Sequence, residues 1–379
     1  MTPVYFDNAA TTALRPEVVT AITESLNDQF GNPSSTHSFG RSSKALIEKA
    51  RKSIATTLGA KPSEIYFTSG GTEADNIVIR CAARDLAVKR IITSPIEHHA
   101  VLHAAETVAA EYGIELELVN IDDRGYVDLN DLEQRLSCEN APRTLVSLMH
   151  VNNEIGNLLD IEKVAELCEI YHALFHSDTV QSVGHYHWDL SKTPVHFICG
   201  AAHKFHGPKG IGFLYMRSDI HLNSLIVGGG QEKGFRAGTE SVHNILGMEK
   251  AFSLAYENLA NKKEYVQSLK NRFIEGIRTR FPKAIFNGGC DNFDRSTYTL
   301  VNLRFPITGD KSTLLLFHLD LKGIACSQGS ACQSGSNTGS HVLRAIDADE
   351  FPSLRFSFSI FNTIEEVDYV LDVLFDYLA

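Results

Sequence analysis

This sequence predicts an α/β protein: a large unit with a mostly parallel sheet between helices, joined to a smaller α+β unit. Two observations carry that expectation. From Glu64 onward, short apolar runs of strand type alternate with segments of helical spacing, the pattern of a sheet covered on both faces. After Gly230 the alternation gives way to a long helical pattern and then to strands and helices in mixed order. A chain of 379 residues is long enough to bury two cores.

In chain order, Pro16 to Phe30 and Ser42 to Leu58 have helical spacing, separated by the turn-rich loop Gly31-Asn-Pro-Ser-Ser-Thr-His-Ser-Phe-Gly40. Strand Ile65 to Thr68, a helix from Thr72, strand Arg90 to Thr93, helix Ala100 to Tyr112 and strand Glu115 to Ile121 follow. Next come helix Leu129 to Leu136, strand Thr144 to Val151, helix Asp160 to Tyr171 and strand Leu174 to His176. Two apolar runs, Val195 to Cys199 and Ile211 to Met216, flank Gly200-Ala-Ala-His-Lys-Phe-His-Gly-Pro-Lys-Gly210 and put Lys204 in a tight turn between buried strands. Val242 to Phe281 reads as one nearly continuous helical pattern. Strand Thr297 to Phe305, helix Lys311 to Leu321, strand Gly323 to Cys326, a glycine-rich loop, strand Ser353 to Ser359 and helix Ile364 to Leu378 complete the chain.

A net charge of −11 argues against nucleic acid or an anionic membrane as a partner. No apolar run reaches the length of a membrane span, and Met-Thr-Pro-Val-Tyr-Phe-Asp lacks the basic and apolar regions of an export signal, so the expectation is a cytoplasmic chain. Seven cysteines in such a chain do not suggest a disulfide framework. Cys81, Cys168 and Cys199 fall in apolar patterns and read as packing residues, whereas Cys326 and Cys332 flank a polar, glycine-rich stretch.

Ligands of parallel sheets sit at the carboxyl ends of strands, and four such ends carry polar groups here. Thr68-Ser-Gly-Gly-Thr-Glu73 turns from strand to helix, either a phosphate cradle or a tight connection. Ile96-Glu-His-His-Ala100 offers His98 and His99, for stacking on an aromatic ring or for capping. His150-Val-Asn-Asn-Glu-Ile-Gly156 presents two amides, and Ser177-Asp-Thr-Val-Gln-Ser182 presents Asp178 and Gln181. Lys204 is the fifth group: a desolvated lysine, or one beside a second cation such as Lys209, becomes a nucleophile toward carbonyls. An amine, a carboxylate, a stacking imidazole and a phosphate cradle together are the complement of pyridoxal phosphate, whose ring serves as an electron sink when its nitrogen is protonated.

Tyr5-Phe-Asp-Asn-Ala-Ala-Thr-Thr12, Gly31-Asn-Pro-Ser-Ser35, Phe67 to Glu73, His150 to Gly156, Ala202 to Gly210, Arg236-Ala-Gly-Thr239 and Gly329-Ser-Ala-Cys332 resemble, in one order, the cysteine desulfurases of the iron–sulfur-assembly and nitrogen-fixation type. These are class V aminotransferases of fold-type I, dependent on pyridoxal 5'-phosphate. The resemblance implies a large unit of residues 14–256 and a small unit of 1–13 with 257–379, the latter carrying a catalytic cysteine loop at about 326–340. It implies Lys204 as the lysine that condenses with the cofactor aldehyde, Asp178 on the pyridine nitrogen, Gln181 on the ring hydroxyl and His98 stacked on the ring. Gly71, Thr72 and His203 would belong to the phosphate site. Thr239 would serve the site of the other subunit, which implies a homodimer with shared active sites. Asn153 and Arg355 would hold the carboxylate of the substrate L-cysteine, Asn153 also lying against the cofactor. Two positions depart from the family pattern: Ala201 replaces a serine, removing one phosphate hydrogen bond, and Ser359-Ile360 replaces glycine-arginine at the substrate wall.

Cys332 separates a desulfurase from a transaminase. The resemblance implies that Lys204 removes the Cα proton and that the Cys332 thiolate takes the substrate sulfur, giving L-alanine and a persulfide for an acceptor or iron–sulfur scaffold protein. A base is needed to form the thiolate, and His98 and His103 are candidates. Cys332 is also a candidate transient iron–sulfur ligand. Zinc on Cys326, Cys332 and His341 matches none of the usual ligand spacings. Cys326, where the family has serine, is either a second sulfur carrier or a buried thiol. The alternatives are selenocysteine lyase or another class V transaminase and, from a different class, a catalytically weak sulfur- or metal-carrying partner.

Overall fold

A computed structural model describes residues 3–139, 141–328 and 339–378. After a two-residue strand, β1 (Val4–Tyr5), come the helices α1 (Pro16–Asp28) and α2 (Ser38–Leu58). The alternating stretch follows as β2 (Ile65–Thr68), α3 (Gly71–Asp85), β3 (Arg90–Thr93), α4 (His99–Tyr112), β4 (Glu115–Leu118), α5 (Leu129–Leu136), β5 (Thr144–Ser147), α6 (Ile161–Ile170) and β6 (Leu174–Ser177). The strands β7 (Phe197–Ala201) and β8 (Gly212–Met216) close it. Beyond them lie α7 (Val242–Tyr256), α8 (Leu259–Arg280), β9 (Ile285–Phe286), β10 (Leu300–Arg304), α9 (Asp310–Leu321), β11 (Ile324–Ala325), α10 (His341–Ala345), β12 (Ser353–Ser357) and α11 (Ile364–Leu378).

Seven strands form one sheet in the order β2-β8-β7-β6-β5-β3-β4. Every pairing is parallel except those of β8, which runs against both β2 and β7. The two-residue period of a strand explains why these segments read as continuous apolar runs: both faces are covered. Ile92, Val146, Phe175, Ile198 and Phe213 pack on one side against α2, α6 and α7. Their chain neighbours Ile91, Leu145, Leu174, Phe197, Cys199 and Leu214 pack on the other side against α3 and α4. A separate cluster joins Val4 and Phe6 to residues of α8, β10, β12 and α11 around the antiparallel sheet β12-β10-β9.

Several boundaries differ from the sequence expectations. α2 starts at Ser38 rather than Ser42, because His37 accepts the Gly40 N–H on Nδ1 at 3.3 Å, a cap that residue preference does not flag. The pattern from Val242 to Phe281 is two helices: Glu257 is extended and Asn258 takes a left-handed conformation (φ 50°). The expected strand Thr144 to Val151 ends at Ser147, and Gly323 to Cys326 shrinks to a two-residue β11 paired with β1, which sequence reading missed.

Candidate active site

The carboxyl ends of the parallel strands converge on a cavity of ≈180 Å³ lined by Gly71, Thr72, Asp75, His98, Asn153, Asp178, Gln181, His203, Lys204 and Arg355, with Ala9, Ala10, Met149, Val180 and Ala201. The tail of each short connection therefore delivers one polar side chain to the same place, as expected for ligand sites of open α/β sheets.

Lys204 ends a single 3₁₀ turn (Ala202–Lys204) immediately after β7. Its Nζ donates to the carbonyls of Ala9 at 2.6 Å and Ala10 at 2.9 Å, so the N-terminal segment aims the amine into the cavity. Gln181 Nε2 donates to the same Ala9 carbonyl at 2.8 Å. Burial, then Lys204 and then Lys209 lower the His203 pKa to about 4; Lys209, the expected neighbouring cation, is itself exposed. Neutral His203 faces Thr11 Oγ1 through Nδ1 at 3.2 Å.

Asp178 follows β6 and is 5% exposed. Its Oδ1 accepts the Val180 N–H at 2.9 Å. Burial and then the charge of Asp75 push its carboxyl up, opposed by His98. A cation placed against it would reverse that shift. His98 is both cap and lining: Nδ1 accepts the Ala100 N–H at 3.1 Å at the start of α4, while burial and Lys204 hold the imidazole neutral.

α3 begins next to the cavity with no side-chain cap on its first N–H groups, which are left to face a ligand. The helix can approach the sheet only because glycines line the contact. A Cβ on Gly212 would stand 2.4 Å from the Gly200 carbonyl oxygen and 2.8 Å from Gly70 Cα, and one on Gly71 would meet Val180 Cγ2 at 2.5 Å. Glu73 in the first turn of α3 pairs with Arg236 at 2.8 Å.

Arg355, in β12, is 1% exposed and lies inside the protein between the buried Leu354 and Phe356. Its guanidinium donates to the Asn153 carbonyl at 2.7 Å and to Asp7 Oδ1 at 3.0 Å, and its buried Nε has no partner among the described residues. A rigidly held guanidinium with spare donor capacity at a cavity wall is a carboxylate receptor. Of the paired amides, Asn152 is structural: Nδ2 donates to the Ile96 carbonyl and Oδ1 accepts the Glu154 and Ile155 N–H groups. Only Asn153 lines the cavity.

Two expected residues stand apart. Thr239 is exposed and does not line the cavity. Cys332, with both its sulfur-handling and its cluster-ligating roles, lies in residues 329–338, outside the described residues. Among the described residues, Cys326 and His341 join no group of three metal-competent side chains. Burial and then Asp7 raise the Cys326 pKa, keeping it a thiol. Sequence reading missed Asp75 and treated Cys199 as packing alone. Asp75 lines the cavity from the second turn of α3, and the Cys199 thiol donates to it at 3.1 Å. Its only sequence signal was a carboxylate in an otherwise apolar helix face.

The model of the aminotransferase class-V family matches residues 4–370. A cysteine desulfurase IscS of Dictyoglomus turgidum is 42% identical over 376 residues, covering 98% of this chain and 93% of that protein. Among solved structures, a NifS-like protein superposes with a TM-score of 0.90 at 33% identity, covering 100% of this chain and 99% of the other. SspA, solved in complex with cysteine, reaches a TM-score of 0.81 at 31% identity over 95% of this chain and 100% of its own.

Proposed function

Because the chain belongs to the class-V aminotransferase family, and because its cavity gathers an amine, a buried carboxylate, an imidazole and an uncapped helix start, we propose that it is a cysteine desulfurase using pyridoxal 5'-phosphate. The single observation that carries the reading is Lys204 Nζ and Asp178 on the wall of one cavity, with Arg355 beside them. The residues present fit the cofactor: Lys204 for its aldehyde, Asp178 for its ring nitrogen, Gln181 for its hydroxyl, His98 for its ring face, and Gly71, Thr72 and His203 for its phosphate. When bound, it supplies an electron sink for the substrate Cα.

Arg355 and Asn153 hold the carboxylate of L-cysteine, which fixes the Cα–H bond toward Lys204. Lys204 accepts the Cα proton as an amine. The Cys332 thiolate takes the substrate sulfur; the C–S electron pair stays with the substrate carbon, which is protonated to give L-alanine, and the sulfur remains on Cys332 as a persulfide. The persulfide passes to an acceptor or scaffold protein. Thr239, exposed and held near α3 by the Glu73–Arg236 pair, completes the phosphate site of a second copy in a homodimer. Residues 14–256 form the large unit and 1–13 with 257–379 the small one, a division supported by the separate buried clusters. The acidic chain works in the cytoplasm; no helix among the described residues is long and apolar enough to cross a membrane.

Incubation of the purified protein with L-cysteine yields alanine and, with a thiol reductant, sulfide in equal amounts. Borohydride bleaches the visible absorbance and leaves the cofactor mass on the peptide containing Lys204. A Cys332→Ala protein that still transfers sulfur at the wild-type rate overturns the reading, as does preferred turnover of selenocysteine or of a keto acid.

A further inference from the structure

Behind Asp178, on the α3 side of the sheet, lies a group of polar side chains that the desulfurase reading does not use. His176 of β6 and Cys199 of β7 both point to this face, and Asp75 of α3 meets them. All three are buried, at 0–1% exposure. The Cys199 Sγ stands 3.1 Å from Asp75 Oδ1 and 3.6 Å from Asp178 Oδ1, so one thiol spans two carboxylates. Asp75 Oδ1 is 3.4 Å from His176 Nε2, and His176 Nδ1 is 2.8 Å from Ser147 Oγ. His176 Nε2 makes no hydrogen bond with a described residue, and Asp75 stands within ion-pair distance of it.

Two buried carboxylates that share a donor cannot both be anionic unless each is compensated. Among the described residues, the other ionisable groups near Asp178 are Glu97 and His98 from the segment preceding α4, Lys204 and His203 from the β7–β8 connection, and Arg355 of β12, which pairs with Asp7. Burial raises the Glu97 pKa to about 8, which keeps it from adding a further negative charge, and His98 is held neutral by burial and so supplies no positive one. Lys204 lies on the cavity side, where its Nζ donates to the Ala9 and Ala10 carbonyls. On the Asp75 side, His176 is the basic group at ion-pair distance among the described residues.

We propose that Asp75, His176 and Cys199 form a buried relay of positioning residues: one proton on the His176–Asp75 ion pair neutralises it, and the Cys199 thiol links it to Asp178. The anionic charge then stays on Asp178, where it holds the proton on the cofactor ring nitrogen. Without His176, the two carboxylates compete for one proton, and the proton of the ring nitrogen moves onto Asp178. No group is oxidised or reduced; one proton changes place. Burial holds the Cys199 thiol protonated, which keeps it a donor. The inference rests on the pyridoxal-phosphate reading above.

The test uses the holoenzyme and three readouts: the pH titration of its visible absorbance, the nitrogen NMR shift of ring-labelled cofactor, and kcat. His176→Gln moves the titration midpoint by about one pH unit or more, shifts the ring nitrogen toward its unprotonated value and lowers kcat at least about tenfold. Adding Asp75→Asn removes the uncompensated charge and restores midpoint and shift, which a merely structural role would not do. If His176→Gln does not fold, Cys199→Ala shifts the midpoint while Cys199→Ser, which keeps a donor, does not. An unchanged midpoint in His176→Gln, a double variant no better than the single one, or equal behaviour of Cys199→Ala and wild type overturns the relay. So does one equivalent of metal whose chelation alters the visible band, since Asp75, His176 and Cys199 would then be its ligands. A protein that carries no cofactor has no visible band at all, a result that refutes the desulfurase reading instead.

Discussion

Glu97 shows how the site stores electrostatic cost. Its carboxyl is 1% exposed; Oε1 accepts the Ser94 hydroxyl at 2.8 Å and the Met149 N–H at 3.0 Å, while Oε2 has no partner among the described residues. Burial raises its pKa from 4.5 to about 8. Between those values the folded chain holds a proton that the unfolded chain has lost, so this group makes stability fall as pH rises from about 4.5 to about 8. Glu97→Gln, an isostere of the protonated acid, therefore leaves the melting temperature nearly unchanged at pH 5 and raises it at pH 8. The expected gain is roughly 2–4 kcal/mol, read by denaturant titration at the two pH values. Loss of stability at pH 8 would contradict the assignment. Residues of this kind were hard to read in advance: Lys204, Asp178, His98 and Arg355 were legible because each follows or lies in an apolar strand, but Glu97 and Asp75 differ from ordinary surface acids only in what folds over them.

The strands and helices of the sheet were legible from apolar runs and period, since burial on both faces leaves few polar interruptions. What escaped were the pairing of β1 with β11 and the reversal of β8, both set by partners distant in sequence, and the break at Asn258, where a left-handed residue interrupts a continuous helical pattern. β8 also fixes how close α3 comes to the cavity. Gly212→Ala would drive a methyl against the backbone of both Gly200 and Gly70, neither of which can swing aside. Cofactor affinity should drop at least about tenfold and stability by roughly 1–3 kcal/mol, measured by equilibrium dialysis and melting. The segment that carries Thr239 is anchored by a second device. Arg51 and Glu232, each 2% exposed at the side chain, pair at 2.7 Å, and Glu232 also accepts the Phe67 N–H at 2.9 Å. Glu232 and its neighbour Lys233 adopt left-handed backbone conformations at φ 45° and 60°, strain that this anchorage sustains. Glu232→Gln should cost about 3 kcal/mol, because it removes the bidentate carboxylate of a buried guanidinium and leaves Arg51 only Glu48, at 3.2 Å from its Nε. A urea midpoint within error of wild type would show the pair to be dispensable.

The N-terminal dozen residues tie the two buried clusters together. Val4 and Tyr5 pair with β11, Ala9 N–H donates to Ser357 Oγ at 2.8 Å, Asn8 Nδ2 donates to the Ser357 carbonyl at 2.8 Å, and Thr12 N–H donates to the His203 carbonyl at 2.9 Å. Ser357→Ala removes the acceptor that positions Ala9, and with it the carbonyl that holds Lys204. Stability should fall by about 1–2 kcal/mol, and the yield of borohydride-trapped cofactor should fall with it. The clasp also dictates a timetable. On a ribosome the residues that seat Lys204 emerge well before their own docking partners, around positions 324 and 357, which follow the strands of the large sheet. Contacts so far apart in sequence form late. A nascent chain can complete its seven-stranded sheet while the lysine still lacks its carbonyl cradle, so coenzyme capture is a final act of maturation, and refolding followed by fluorescence should finish its first phase before colour returns.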